Sequence, residues 1–174
     1  VVWVIIFFTK TKGKMMRKKL SLVLLMLAFA EISFAQIAGK RIAPFQILLD
    51  NGKSFNASQL KPGAVVLVYF SPDCDHCQNF TKDLLKNFSV VGNKQIVMIT
   101  PQSMEMLRPF IARFNLAAYP NIKVGTEGTS YLVRKYYNIM QYPFIALYDK
   151  NGQQVKTFEG EQPHALIFKA IQSI

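Results

Sequence analysis

The sequence predicts one α/β domain in which helices cover a mixed β-sheet. Three observations predict it. Residues 64–70 and 95–100 are buried-strand runs rich in β-branched residues, and each is followed by a segment with apolar residues at helical spacing. Two Asn-Gly pairs, Asn51-Gly52 and Asn151-Gly152, each separate strand-like residues, and this dipeptide supplies the positive φ values of a tight hairpin turn. Strands that alternate with helices indicate layered α/β architecture, and the two hairpins add antiparallel strands to it.

Taken in order, residues 45–49, the turn 50–53 and residues 54–55 read as an N-terminal β-hairpin, followed by a helical turn at 58–60 before Pro62-Gly63. Residues 64–70 are apolar without interruption, as suits a strand buried on both faces at the centre of the sheet. Ser71-Pro72 ends that run, and residues 74 to about 87 carry Cys77, Phe80, Leu84 and Leu85 at helical spacing, with Phe88 just beyond. A second buried strand, 95–100, closes at Pro101, and residues 104–114 repeat apolar positions every three or four residues. Residues 119–129 read as irregular and 130–137 as helical. Residues 143–148, the turn 149–152 and residues 153–158 form the stronger hairpin, and an amphipathic helix over 164–171 ends the domain.

Half of the 174 residues are hydrophobic and 18% are charged, a composition that favours a packed body over disorder. The formal charge of +11 is unevenly distributed. Six of the 21 basic residues and one of the ten acids precede Gln36, so the remainder carries +6. That remainder is scattered, with no basic run alternating with aromatics, and nucleic acid is not an expected partner.

Met15-Met16-Arg17-Lys18-Lys19 followed by the apolar run 20–30 has the form of a secretory signal. Ser33-Phe34-Ala35 places small residues where a signal peptidase looks, so cleavage between Ala35 and Gln36 and a periplasmic or otherwise exported product are expected. An uncleaved anchor is the alternative, though the run falls short of the ~20 residues needed to cross a bilayer. Membrane association is expected only in that case. Residues 1–14, with Trp3, precede the charged region and read as an over-extended start, leaving 36–174 as the domain.

Cys74 and Cys77 are the only cysteines, three residues apart at the predicted junction of strand and helix. A thiolate at a helix start is favoured by the positive end of the macrodipole and by unpaired backbone N–H groups. Cys74 is therefore the expected attacking thiol and Cys77, one turn further in, the expected resolving thiol. A protonated His76 would favour the Cys74 thiolate, whereas Asp73 and Asp75 would oppose it, so redox direction stays open. Three other readings compete: a structural disulfide, a metal site using His76 or His164, and two inert thiols. A bridge over so short a loop constrains the unfolded chain little, and two histidines supply few ligands.

The run Val65-Val66-Leu67-Val68-Tyr69-Phe70-Ser71-Pro72-Asp73-Cys74-Asp75-His76-Cys77 resembles the thioredoxin superfamily, in particular its exported TlpA-like branch, and the likeness extends over about residues 43–171. The resemblance implies a three-layer thioredoxin-like sandwich, with the N-terminal hairpin and the long 95–143 segment as features of that branch. It implies a cis-proline facing the cysteines, matched by Pro143, with Tyr142 before it offering backbone groups to an extended substrate. Pro120 is the rival position.

The chain also departs from the family. Val68 stands where thioredoxins have a buried aspartate, Asp73 replaces the usual tryptophan, and Phe80 stands where the cytochrome-maturation branch has glutamate. His76 replaces the common proline, as in the oxidising periplasmic branch. No proton carrier for Cys77 is identified, and Asp83 is either that carrier or a surface residue. The expected activity is thiol–disulfide exchange with protein substrates and a redox partner protein, with no cofactor beyond the Cys74–Cys77 disulfide. The alternatives are a thiol peroxidase, against which Ser71 replaces the usual threonine, and a non-catalytic metal-binding or interaction module.

Overall fold

The computed structural model describes residues 40–174. The expected signal segment 15–35, its cleavage point and the over-extended start 1–14 lie outside the described residues.

The chain forms β1 (Gln46–Leu49), β2 (Ser54–Asn56), β3 (Val65–Tyr69), α1 (Asp75–Lys86), β4 (Gln95–Thr100), α2 (Met104–Arg113), β5 (Ile122–Thr126), α3 (Leu132–Tyr137), β6 (Phe144–Tyr148), β7 (Gln154–Glu159) and α4 (His164–Gln172). The strands join in one mixed sheet in the order β2-β1-β5-β4-β3-β6-β7. Strand β3 runs parallel to β4, and β4 parallel to β5, while the two hairpins flank them antiparallel. The run expected at the centre of the sheet is interior, but β4 takes the middle position and β3 lies beside it, because β5 adds a strand on the far side.

Strand β5 corrects the sequence reading of 119–129 as irregular. Ile122, Val124 and Thr126 are buried while Lys123 is exposed, an alternation too short to stand out from the loop around it. Its regularity comes from its neighbours, since it hydrogen-bonds β4 on one side and β1 on the other. Gly125 permits that approach: a Cβ there would stand 2.6 Å from the Leu48 carbonyl oxygen.

Side chains alternate along β3, so the sheet has two cores. Val66, Val68 and Phe70 face Phe80 and Leu84 of α1, Leu107 and Phe110 of α2, and Ile167 and Ile171 of α4. Val65, Leu67 and Tyr69 face Phe45, Ile47, Tyr148 and, from α3, Val133. The result is the three-layer α/β sandwich. The N-terminal hairpin forms as expected, and its helical turn is a 3-10 turn at Ala57–Gln59, capped reciprocally by Asn56 and Gln59.

Candidate active site

The register of β3 against β6 builds the site. Tyr69 pairs with Phe144 in the antiparallel ladder, so the residues following Tyr69 and those preceding Phe144 emerge side by side at one edge. The chain leaving β3 makes a turn closed by the Cys74 N–H donating to the Ser71 carbonyl at 3.2 Å, and α1 begins at once. Cys74 occupies its N-cap, in extended conformation (φ −83°, ψ 120°), and its carbonyl accepts from Gln78 N at 3.0 Å. The N-cap is the position beside the unpaired amides of the first turn, and the Cys74 sulfur stands there without making a capping hydrogen bond.

The two thiols differ in environment. Cys74 is half-buried, whereas Cys77, one turn on, is 1% exposed and belongs to the core shared by Phe80 and Phe70. Burial pushes the Cys77 thiol well above the ordinary range, and the neighbouring Cys74 sulfur adds to this. The nearby Ser71 backbone partly offsets the effect, and the Asp73 carboxylate reinforces it. Both cysteines are free thiols in this structure.

His76 lies on the exposed side of the same helical turn, with Nδ1 3.6 Å from Glu161 Oε1. Both partners are largely exposed, so the pair contributes little to stability. His76 and Pro143 line one cleft. The Tyr142–Pro143 peptide bond is cis, and the Pro143 carbonyl accepts from Gly160 N at 3.0 Å. The Tyr142 ring rests on Tyr69 with centroids 5.7 Å apart and touches both cores. Burial raises its phenol, and the proximity of Cys77 contributes in the same direction. The structure thus brings Cys74, Cys77, His76, Tyr142 and Pro143 to one end of the sheet. Pro120 does not join them: it lines a cleft at the opposite end, with Gln95 at the start of β4.

Asp83 and His164, weighed separately in the sequence, form a pair, His164 Nδ1 lying 2.8 Å from Asp83 Oδ2. The imidazole meets the Phe80 ring edge-on at 5.7 Å, so the pair joins α1 to α4. Among the described residues, no three His, Cys, Asp or Glu side chains gather as metal ligands.

Sequence reasoning missed the polar frame behind the site. The Tyr69 hydroxyl donates to Glu127 Oε1 at 2.6 Å, and Glu127 Oε2 accepts from the Val133 N–H at 2.9 Å, tying β3 to the start of α3. Burial and this carboxylate together hold the Tyr69 phenol far above its usual range. A tyrosine inside a strand buried on both faces needs a partner for its hydroxyl, and that was the available signal. In front of the site, the Ser71 hydroxyl donates to Asp73 Oδ1. Gln78 Nε2 donates to the Pro72 carbonyl at 2.9 Å, and Arg113 of α2 donates to Gln78 Oε1 at 2.8 Å.

No protein-family model and no curated protein matches the sequence. Solved structures do match. A secreted Mycobacterium tuberculosis disulfide oxidoreductase homologous to E. coli DsbE superposes with a TM-score of 0.64 at 16% identity, over 75% of this chain and 96% of that one. The chain has a thioredoxin-like fold. A thiol–disulfide oxidoreductase from Bacteroides fragilis gives a TM-score of 0.61 at 19% identity, covering 78% of this chain and all of the other. A peroxiredoxin-like protein from Aquifex aeolicus gives 0.65 at 13% identity, over 78% and 86%. Thiol–disulfide oxidoreductases therefore share this fold, and the Cys74–Cys77 pair is present on it.

Proposed function

We propose that this protein is an exported thiol–disulfide oxidoreductase that exchanges disulfides with protein substrates. The observation that carries the reading is the asymmetry of the two thiols: a half-buried sulfur at the N-cap of α1, and a second, buried one turn along and near Tyr142. Cys74, as thiolate, attacks one sulfur of a substrate disulfide, forming a mixed disulfide and releasing the other sulfur as a thiolate. Cys77 loses its proton and attacks the Cys74 sulfur. The Cys74–Cys77 bond forms, the bond to the substrate breaks, and two electrons have passed to the substrate. Each step runs in reverse for an oxidised protein, and a redox partner protein restores the starting state.

The Tyr142-Pro143 segment supports docking of an extended substrate strand, because Met140 N and Gln141 N are both held by Glu159 Oε1, at 2.5 and 2.8 Å, and the segment presents a fixed backbone. His76, in the first turn of α1, lines a cleft together with Pro143. Export rests on the 15–35 segment, and the description of one structural neighbour as secreted agrees with it.

The test is trapping. A Cys77→Ser variant mixed with a disulfide-bonded protein should accumulate a covalent complex through Cys74 that a reducing agent dissolves, while Cys74→Ser should form none. Absence of any complex would overturn the reading. The peroxidase alternative draws on the fold shared with the Aquifex protein. It requires rapid peroxide consumption by the reduced protein, and rapid consumption without trapping would establish it instead.

A further inference from the structure

We infer that Glu159 is a positioning residue for the substrate: its carboxylate clamps the segment before Pro143, so that the Tyr142 backbone is already ordered when a substrate strand arrives. The assignment rests on the exchange reading above and deepens it by naming what sets affinity for the protein substrate.

The clamp is made where β7 ends. Glu159, its last residue, pairs with Phe144 in the ladder and so stands beside the chain entering β6. One oxygen, Oε1, accepts from Met140 N at 2.5 Å and from Gln141 N at 2.8 Å, and hydrogen bonds to an ionised acceptor are among the stronger ones. One residue on, Gly160 N donates to the Pro143 carbonyl at 3.0 Å. Gly160 is buried at φ 67°, and a Cβ there would strike the Gln141 side chain. The near end of the segment is fixed at α3, where Ile139 N donates to the Arg134 carbonyl at 3.0 Å and Arg134 Nε to the Ile139 carbonyl at 3.3 Å. Tyr142 is the residue these bonds leave out: among the described residues, neither its N–H nor its carbonyl has a hydrogen-bond partner.

Burial does not account for the clamp. Met140 is 73% exposed and Gln141 is exposed too, so water would satisfy both N–H groups if the carboxylate were absent. Glu159 lies outside both cores, and the Tyr142 ring is supported separately by Tyr69, which Glu127 holds. What the carboxylate supplies is order. A substrate strand that pairs with ordered backbone loses less freedom on binding, and the gain appears as affinity and not as faster bond exchange.

A carboxylate beside a docking surface also acts as a bare charge on whatever approaches, and substitution separates the two roles. Glu159→Gln removes the charge and keeps an oxygen that accepts from both N–H groups. Glu159→Ala removes both. If the clamp matters, the glutamine variant stays close to wild type; if only the charge matters, the two variants are impaired alike.

Reduction of insulin, with saturating dithiothreitol as the terminal reductant, reads both kinetic constants. Glu159→Ala should raise KM about tenfold while kcat changes less than about twofold, the signature of lost binding that substrate and transition state share. Glu159→Gln should recover most of that loss. In the wild type, hydrogen exchange at the Met140 and Gln141 amides should be at least about tenfold slower than in an unstructured chain, and Glu159→Ala should abolish this protection. An unchanged KM in Glu159→Ala, a fall in kcat alone, equal impairment of the two variants, or unprotected amides in the wild type overturns the assignment and leaves the exchange reading standing. Should Glu159→Ala fail to fold, the glutamine variant and the wild-type amides still decide. A wild type that does not accelerate insulin reduction overturns the exchange reading and the assignment with it.

Discussion

Between two thiols one helical turn apart, solvent access makes most of the difference. Cys77 shares its core with Phe70, Phe80 and Ile145, and desolvation keeps its proton on. A proton held more tightly in the folded chain than in the unfolded one gives stability that is complete below the unfolded value and is lost as pH rises through the folded one. The reduced protein should therefore lose stability as pH climbs past about 8.5, the ordinary value for a thiol. The buried hydroxyls of Tyr69 and Tyr148 are raised in the same direction, and Tyr137 is pushed up to about 12, chiefly by burial, so the loss continues above about pH 10, where unfolded tyrosines ionise. Denaturant midpoints between pH 7 and 11 check this. Reduced wild type should fall from about 8.5, and Cys77→Ala should stay level until the tyrosine range; parallel curves would contradict the account.

At the level of elements, legibility followed the locality of the signal. Both hairpins could be read because Asn51-Gly52 and Asn151-Gly152 carry their turn chemistry within two residues, with Gly52 at φ 76° and Gly152 at φ 71°. Strand β3 could be read because it is buried on both faces over its whole length. Strand β5 could not, since its pattern is short and broken by Lys123 and Gly125, and its order is imposed by β1 and β4. That dependence makes Gly125 sensitive. A methyl group there would meet the Leu48 carbonyl at 2.6 Å and the Ile47 side chain at 3.0 Å, so Gly125→Ala should destabilise the protein by about 1–3 kcal/mol, the usual range for overpacking. Urea unfolding measures it, and a loss below about 0.5 kcal/mol would mean that β1 and β5 yield more readily than their register indicates.

At the scale of the whole molecule, the site is a product of topology. Cys74 and Pro143 are distant in sequence and meet because the Tyr69–Phe144 pairing brings the end of β3 to the start of β6. The cysteine pair was legible because its strand-turn-helix setting is contiguous. Tyr142-Pro143 was legible only through family resemblance. The Tyr69–Glu127 bond spans 58 residues and the Gln78–Arg113 bond 35, and neither residue of either pair announces its partner in the sequence. Ser71 and Asp73 stand two residues apart and were visible, but their hydrogen bond depends on how the turn closes at Cys74.

The central claim is that one sulfur is presented at the start of α1 while its partner is withheld in the core. Timed alkylation of the reduced native protein at neutral pH, with each site read by peptide mass spectrometry, tests it most directly. The account predicts rapid modification of Cys74, faster than free cysteine, with Cys77 protected until the chain unfolds. Equal labelling of both sulfurs, or a Cys74 no more reactive than free cysteine, would contradict it.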